Sequence, residues 1–213
     1  MLSRQVKLEA LEWLMKDLKP NREQSEPGWE NPLYAPVMRL RCKRAVDLAK
    51  NKVVLDLCCG TGWTSFELSK VAKTAVGIDR SPVCIEYAKL KYQRPNIIFL
   101  VRDALNSHLK GPYDLVVMCE VLEHFFAEEA PKLMKEVKKI LKADGIVYGT
   151  TPIAPPDKVR LFESWNIWHR HIYTREELQK FLRNWFNDVV IEKVAPQGSP
   201  SFYEYFVCQG SKP

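Results

Sequence analysis

The segment Val53-Val54-Leu55-Asp56-Leu57-Cys58-Cys59-Gly60-Thr61-Gly62 constrains the fold of this chain more than any other. An apolar run without polar alternation feeds a glycine-bearing turn, the pattern of a buried parallel strand. A second apolar stretch, Ala75-Val76-Gly77-Ile78, ends in Asp79. Strand, tight turn, helix and strand make a βαβ unit. In doubly wound sheets an acid at the tip of the second strand is placed to take both hydroxyls of a ribose. Gly60 and Gly62 carry no Cβ, so the backbone there can approach a ligand closely. The glycine spacing is not G-x-G-x-x-G, which argues against a dinucleotide-dependent oxidoreductase.

The alternation continues. Strands are expected over 53–57, 74–78, 97–101, 114–119 and 145–151, with helices over 63–72, 82–92 and 128–142 between them. Ser81-Pro82 starts the second of these helices, and Asp144-Gly145 is expected to end the third and turn into the fifth strand. Thr174-Arg175-Glu176-Glu177 reads as a capping box opening a helix to about 184, before two late strands near 188–194 and 202–208. Strand–helix alternation implies an α/β fold with helices on both faces of the sheet. Ahead of it, residues 1–36 read as a helix over 3–18 followed by a proline-rich lid segment, and 37–213 as the main domain, opened by a helix near 37–50.

Composition narrows the class. A chain of 213 residues with 46% hydrophobic and 27% charged residues suits one water-soluble domain with a proper core. No apolar run approaches the roughly 20 residues that span a bilayer, and the start lacks the apolar stretch of a signal peptide. The six cysteines form no C-x-x-C pair and sit in apolar patterns, which reads as reduced thiols of a cytoplasmic protein. A net charge of +6 is a mild excess. Lysines 132, 135, 138, 139 and 142 share their helix with acids and read as a solvated face, while Arg39, Arg41, Lys43 and Arg44 form a cluster able to meet phosphate.

The Asp56-x-Cys58-x-Gly60-x-Gly62 turn resembles motif I of the class I S-adenosylmethionine (SAM) methyltransferases, D-x-G-x-G-x-G, with Cys58 where the first glycine usually stands. Some quinone methyltransferases of that superfamily read Asp-x-Cys-Cys-Gly-Thr. The resemblance covers about 37–208. It implies a Rossmann-like sheet of seven mostly parallel strands, with SAM held by Asp56, Leu57, Cys58, Gly60, Gly62, Asp79, Arg80, Asp103, Ala104 and Glu120. Asp79 would take the ribose, Asp103 the adenine amino group, Ala104 the ring, and Asp56 with the 58–62 backbone the methionine end.

Glu120-Val121-Leu122-Glu123-His124 follows the fourth strand. If the chain turns helical there, the two carboxylates and the imidazole face one way, a set suited to a divalent cation. Such Glu-x-x-Glu-His segments occur in ubiquinone O-methyltransferases and in small-RNA 2′-O-methyltransferases. In the latter they resemble a Mg²⁺ or Mn²⁺ site completed by a later histidine. His169 matches that later position better than His171 does. The resemblance therefore implies a metal set of Glu120, Glu123, His124 and His169, or His124 and His169 as bases without metal. Helix-bracing roles for Glu123 and His124 stand beside these. Trp29, Tyr34, Trp165, Trp168, Tyr173 and Tyr203 are candidate pocket aromatics. The expected partner is a small-molecule methyl acceptor, with oxygen as the methylated atom and the protein a monomer or homodimer. Nucleic acid or protein acceptors, and a SAM-binding regulator without transfer activity, are the rival readings.

Overall fold

The computed structural model describes residues 3–17, 35–164, 166–193 and 203–211. Seven strands form one sheet: β1 (Val53–Leu57), β2 (Thr74–Asp79), β3 (Ile97–Val101), β4 (Tyr113–Cys119), β5 (Leu141–Pro152), β6 (Phe186–Lys193) and β7 (Tyr203–Ser211). Their spatial order is β3-β2-β1-β4-β5-β7-β6, parallel throughout except that β7 runs antiparallel between β5 and β6. The order reverses between β1 and β4, which opens a crevice at the carboxyl ends of those strands.

Seven helices accompany the sheet among the described residues: α1 (Arg4–Asp17), α2 (Ala35–Ala49), α3 (Trp63–Ser69), α4 (Pro82–Lys91), α5 (Ala130–Ile140), α6 (Val159–Ser164) and α7 (Arg175–Arg183). One face of the sheet carries Ala45 and Ala49 of α2 and Leu68 of α3 against Val54, Leu115, Val117 and Tyr148. The other carries Leu133, Met134 and Val137 of α5 and Leu178 and Leu182 of α7 against Val116, Met118, Val147 and Phe206. On α5 these apolar residues are buried while Lys132, Lys135 and Lys139 are exposed, so the lysine-rich face is solvated. Ser81 Oγ accepts from Cys84 N–H at 3.3 Å to start α4. Thr174 and Glu177 form the expected capping box of α7. No helix of the described residues is long and apolar enough to cross a membrane. All six cysteines are free thiols.

Three expectations need correction. The lysine-rich helix stops at Ile140 rather than 142, because Leu141 turns extended and pairs with Tyr113 on β4. Asp144-Gly145 therefore sits inside β5, in the irregular stretch before Ile146 pairs with Leu115. Between β5 and the capping box at Thr174, where no helix is among those expected, lies α6, whose buried Phe162 packs with Ala154 and Ile172. The lid segment lies outside the described residues over 18–34, and α2 already begins at Ala35.

Candidate functional site at the carboxyl ends of the strands

After β1 the chain folds back on itself through left-handed conformations at Cys58 (φ 58), Gly60 (φ 54) and Gly62 (φ 86). This explains why glycine suits the position held by Cys58: an L side chain in this region is strained by about 1–2 kcal/mol. The turn is fastened from below. Gly60 N–H donates to Asp79 Oδ2 at 3.0 Å, and Ser81 N–H donates to Asp79 Oδ1 at 2.8 Å. Asp79 thus braces both the glycine turn and the start of α4. Its half-buried carboxylate keeps acceptor capacity toward the crevice, since two oxygens offer about four lone-pair sites.

Gly62 is crowded by protein. A Cβ there would lie 2.7 Å from Ala88 Cβ and 2.7 Å from the Phe99 ring. Its missing side chain lets α3 close against α4 and β3. That crowding lies in the side-chain direction and leaves the expected ligand approach to the Gly62 backbone as it stood. Asp56 differs from expectation. It is 2% exposed beneath the turn, and Ser65 Oγ donates to its Oδ2 at 2.6 Å. Burial pushes its carboxyl up to about 7, against the help of Ser65. A carboxylate sealed this way supports the turn and does not face the crevice. Leu57 is buried too, whereas Arg80 and Asp103 are exposed at the strand tips. Asp103 caps a short 3-10 turn by accepting from Leu105 N–H at 2.8 Å, with Ala104 buried behind it.

Glu120 follows β4 with φ 55, a sparsely populated conformation for a non-glycine residue. The left-handed residue turns the chain before the single 3-10 turn Leu122–His124, so the two carboxylates and the imidazole do not share a face. Glu120 Oε1 instead meets Arg41 Nη1 of α2 at 3.1 Å and accepts from Thr150 Oγ1 of β5 at 2.8 Å. Glu123 points inward, fully buried, and Thr151 Oγ1 donates to its Oε2 at 2.9 Å. Its Oε1 is buried with no hydrogen-bond partner among the described residues. Burial first, then the Glu120 charge, holds the Glu123 carboxyl well above the usual range.

The loop before α7 supplies the remaining groups. Arg170 N–H and His171 N–H donate to the Glu123 carbonyl at 2.7 and 3.2 Å, pinning this loop to the turn after β4. His124 Nδ1 lies 3.2 Å from the Trp168 carbonyl, and the His124 and His169 rings sit 5.4 Å apart, edge to face. One ligand atom each from Glu123, His124 and His169 falls within 4.8 Å of the others. Glu120 is outside that set, and His171 packs edge-on against Tyr173 instead. Burial and the neighbouring His124 lower the His169 pKa to about 4, so its ring is neutral at pH 7. The orphaned Glu123 oxygen and a neutral imidazole fit a cation. A ligating histidine usually donates its other ring N–H to a carbonyl or carboxylate, and His124 does so if its proton is on Nδ1, toward the Trp168 carbonyl. A separate hollow of about 400 Å³ beside Lys89, Arg94 and Phe99 lies at the other end of the sheet and holds none of these groups. Trp29, Tyr34 and Trp165 lie outside the described residues, as does the Tyr203 side chain.

Sequence reasoning missed Thr150 and Thr151, and placed Arg41 in a basic cluster without its pairing to Glu120. Adjacent threonines on β5 send one hydroxyl to each glutamate, and nothing in local periodicity signals that pairing.

The chain belongs to the methyltransferase domain family, whose model matches residues 33–186. Among curated proteins it is 34% identical over 116 residues to a ribosomal protein L11 methyltransferase of Thermosipho africanus, covering 54% of this chain and 42% of that one. It is 31% identical over 104 residues to a ubiquinone biosynthesis O-methyltransferase of Pelagibacter ubique, covering 48% and 42%. The matches span under half the length of these two relatives. In fold it is similar to the N-methyltransferase NodS of Bradyrhizobium japonicum in complex with S-adenosyl-L-homocysteine, with a TM-score of 0.69 at 18% identity, covering 97% of this chain and 98% of that one. The DhpI complex with S-adenosyl-L-homocysteine superposes with a TM-score of 0.70 at 16% identity, covering 99% and 98%.

Proposed function

We propose that this chain binds SAM in the crevice between β1, β2, β3 and β4 and transfers its methyl group to an oxygen of a small-molecule acceptor. The SAM part of the reading is supported by the donor set. Asp79 and Asp103 offer acceptors at the strand tips to ribose hydroxyls and an adenine amino group, and the 58–62 backbone closes over the methionine end. Acids gathered in one crevice also favour a cationic sulfonium. When bound, SAM supplies an activated methyl group. The protein must then align the nucleophile in line with the breaking bond and exclude water, which can remove much of the barrier.

The observation that carries the oxygen assignment is the convergence of Glu123, His124 and His169. A hydroxyl nucleophile must lose its proton, or have it weakened, before or during transfer. His169, with a pKa near 4, is a weak proton acceptor at neutral pH but a ready neutral ligand. His124 is therefore assigned the proton-accepting role in a metal-free site. In a metal site, Glu123, His124 and His169 would hold Mg²⁺ or Mn²⁺, which supplies Lewis acidity toward the acceptor hydroxyl. Glu120 is left out of this set because Arg41 and Thr150 engage it.

The test is transfer of labelled methyl from SAM into a metabolite extract. Label in a small molecule is expected, and His124→Ala should cut kcat at least 100-fold with SAM affinity changed less than threefold. Loss of activity on chelation, restored by Mg²⁺ or Mn²⁺, selects the metal version. Label found only in protein or RNA would overturn the small-molecule acceptor.

A further inference from the structure

Of the basic cluster on α2, Arg41 and Arg44 line a hollow of about 280 Å³ beside β5, β6 and β7. Lys193, at the end of β6, is its third cation, and Glu192 is the one carboxylate among the described lining residues. Tyr148 and Tyr205 form its floor, their ring centroids 6.1 Å apart. Among the described lining residues, three cations against one anion give a net charge of +2. Glu120, paired with Arg41, still leaves a positive surplus among the described residues.

The hollow is also held in shape. Tyr148 O–H donates to the Arg41 main-chain oxygen at 2.9 Å, and the Arg41 side chain is only 12% exposed. The Arg44 guanidinium lies 5.7 Å from the centre of the Tyr205 ring, and the Tyr205 hydroxyl in turn engages Glu192. Groups fixed before a ligand arrives lose less freedom on binding. Guanidinium forks match phosphate oxygens in pairs, and a partly enclosed hollow screens the attraction less than open surface does. Its volume lies just below that of small-ligand sites, roughly 300–1,000 Å³, which suits a small group. Arg39 and Lys43 do not line it, so the cations converge on a point rather than run as a stripe along a polymer.

We propose that this hollow binds a phosphate group carried by a small ligand. The methyl acceptor or a separate regulator would present the same group, and the site stands independently of the methyl-transfer reading. The test titrates inorganic pyrophosphate into the full chain by calorimetry, with ionic strength matched by sodium chloride and no methyl donor present. Saturable binding is expected, weakened at least fivefold by Arg44→Gln and by Lys193→Gln and less than twofold by Arg39→Gln. Should a variant misfold, the Arg44 side-chain nitrogen resonance of the unmodified protein should shift along the same isotherm. Malonate should bind at least fivefold more weakly. No saturable binding, equal binding of malonate, or binding indifferent to both hollow substitutions would overturn the phosphate site. RNA binding that pyrophosphate does not displace would overturn it in favour of a polymer. If the ligand is the acceptor, pyrophosphate should raise its KM and leave kcat unchanged; if it is a regulator, kcat or SAM affinity should move instead.

Discussion

Asp56 shows how one residue can be conspicuous in sequence and hidden in the fold. Its place at the head of the glycine turn suggests contact with ligand, yet it is sealed under the turn with Ser65. A carboxyl raised from 3.8 to about 7 holds its proton in the folded state after the unfolded chain has released it. The sign follows: below about pH 4 the group is neutral in both states and has no effect. As pH rises toward 7 it destabilises the fold, by an amount on the order of 4 kcal/mol at about 1.4 kcal/mol per unit. Asp56→Asn keeps an acceptor for Ser65 and removes that penalty. Urea unfolding should show the variant gaining on the unmodified protein between pH 4.5 and 7.5; parallel profiles would place the proton elsewhere. Cys58 is the opposite case. Cys58→Gly relieves about 1 kcal/mol of left-handed strain and loses a comparable amount of buried side chain, so the melting temperature should move by no more than a few degrees.

At the scale of elements, the strands β1 to β4 were legible because continuous apolar runs bounded by glycine and acid have few other uses. The end of α5 was not. Leu141 continues the helical apolar spacing, and only its pairing with Tyr113 across the sheet makes it a strand residue. The 159–164 helix was hidden for a different reason: six residues are too few to display a period. The turn after β4 was misread because a left-handed glutamate is not encoded in its neighbours. What holds Glu120 is an arginine far back in the chain. Two predictions belong here. Gly62→Ala adds strain at φ 86 and drives a methyl into Ala88 and Phe99, which should destabilise by about 3 kcal/mol. Denaturant unfolding with a loss under 1 kcal/mol would show that the turn yields easily. Thr174→Ala removes the cap of α7 and should cost about 1 kcal/mol. The same variant tests whether α7 fixes the preceding loop, in which case the exchange protection of the Arg170 amide bound to Glu123 should fall as well.

Taken whole, the molecule divides its labour across the sheet. The reversal of strand order between β1 and β4 opens the crevice, and the tips of β1, β2 and β3 bring the glycine turn, Asp79 and Asp103 to its rim. The turn after β4 and the loop ahead of α7 bring Glu123, His124 and His169 together. Strand tips were readable from sequence as a set. The convergence of two loops separated in the chain by α5, β5 and α6 was suggested only by resemblance, and its membership changed when Glu120 turned away to Arg41. The claim that joins these parts is SAM binding through Asp79, and calorimetry with SAM on the unmodified chain and on Asp79→Ala tests it most directly. The unmodified chain should bind saturably, one SAM per chain. The variant, confirmed folded by its circular dichroism, should bind at least tenfold more weakly, because charge-assisted hydrogen bonds worth about 1.5–3 kcal/mol each are lost. Absence of SAM binding by the unmodified chain, or equal affinity in the folded variant, would contradict the assignment of the crevice.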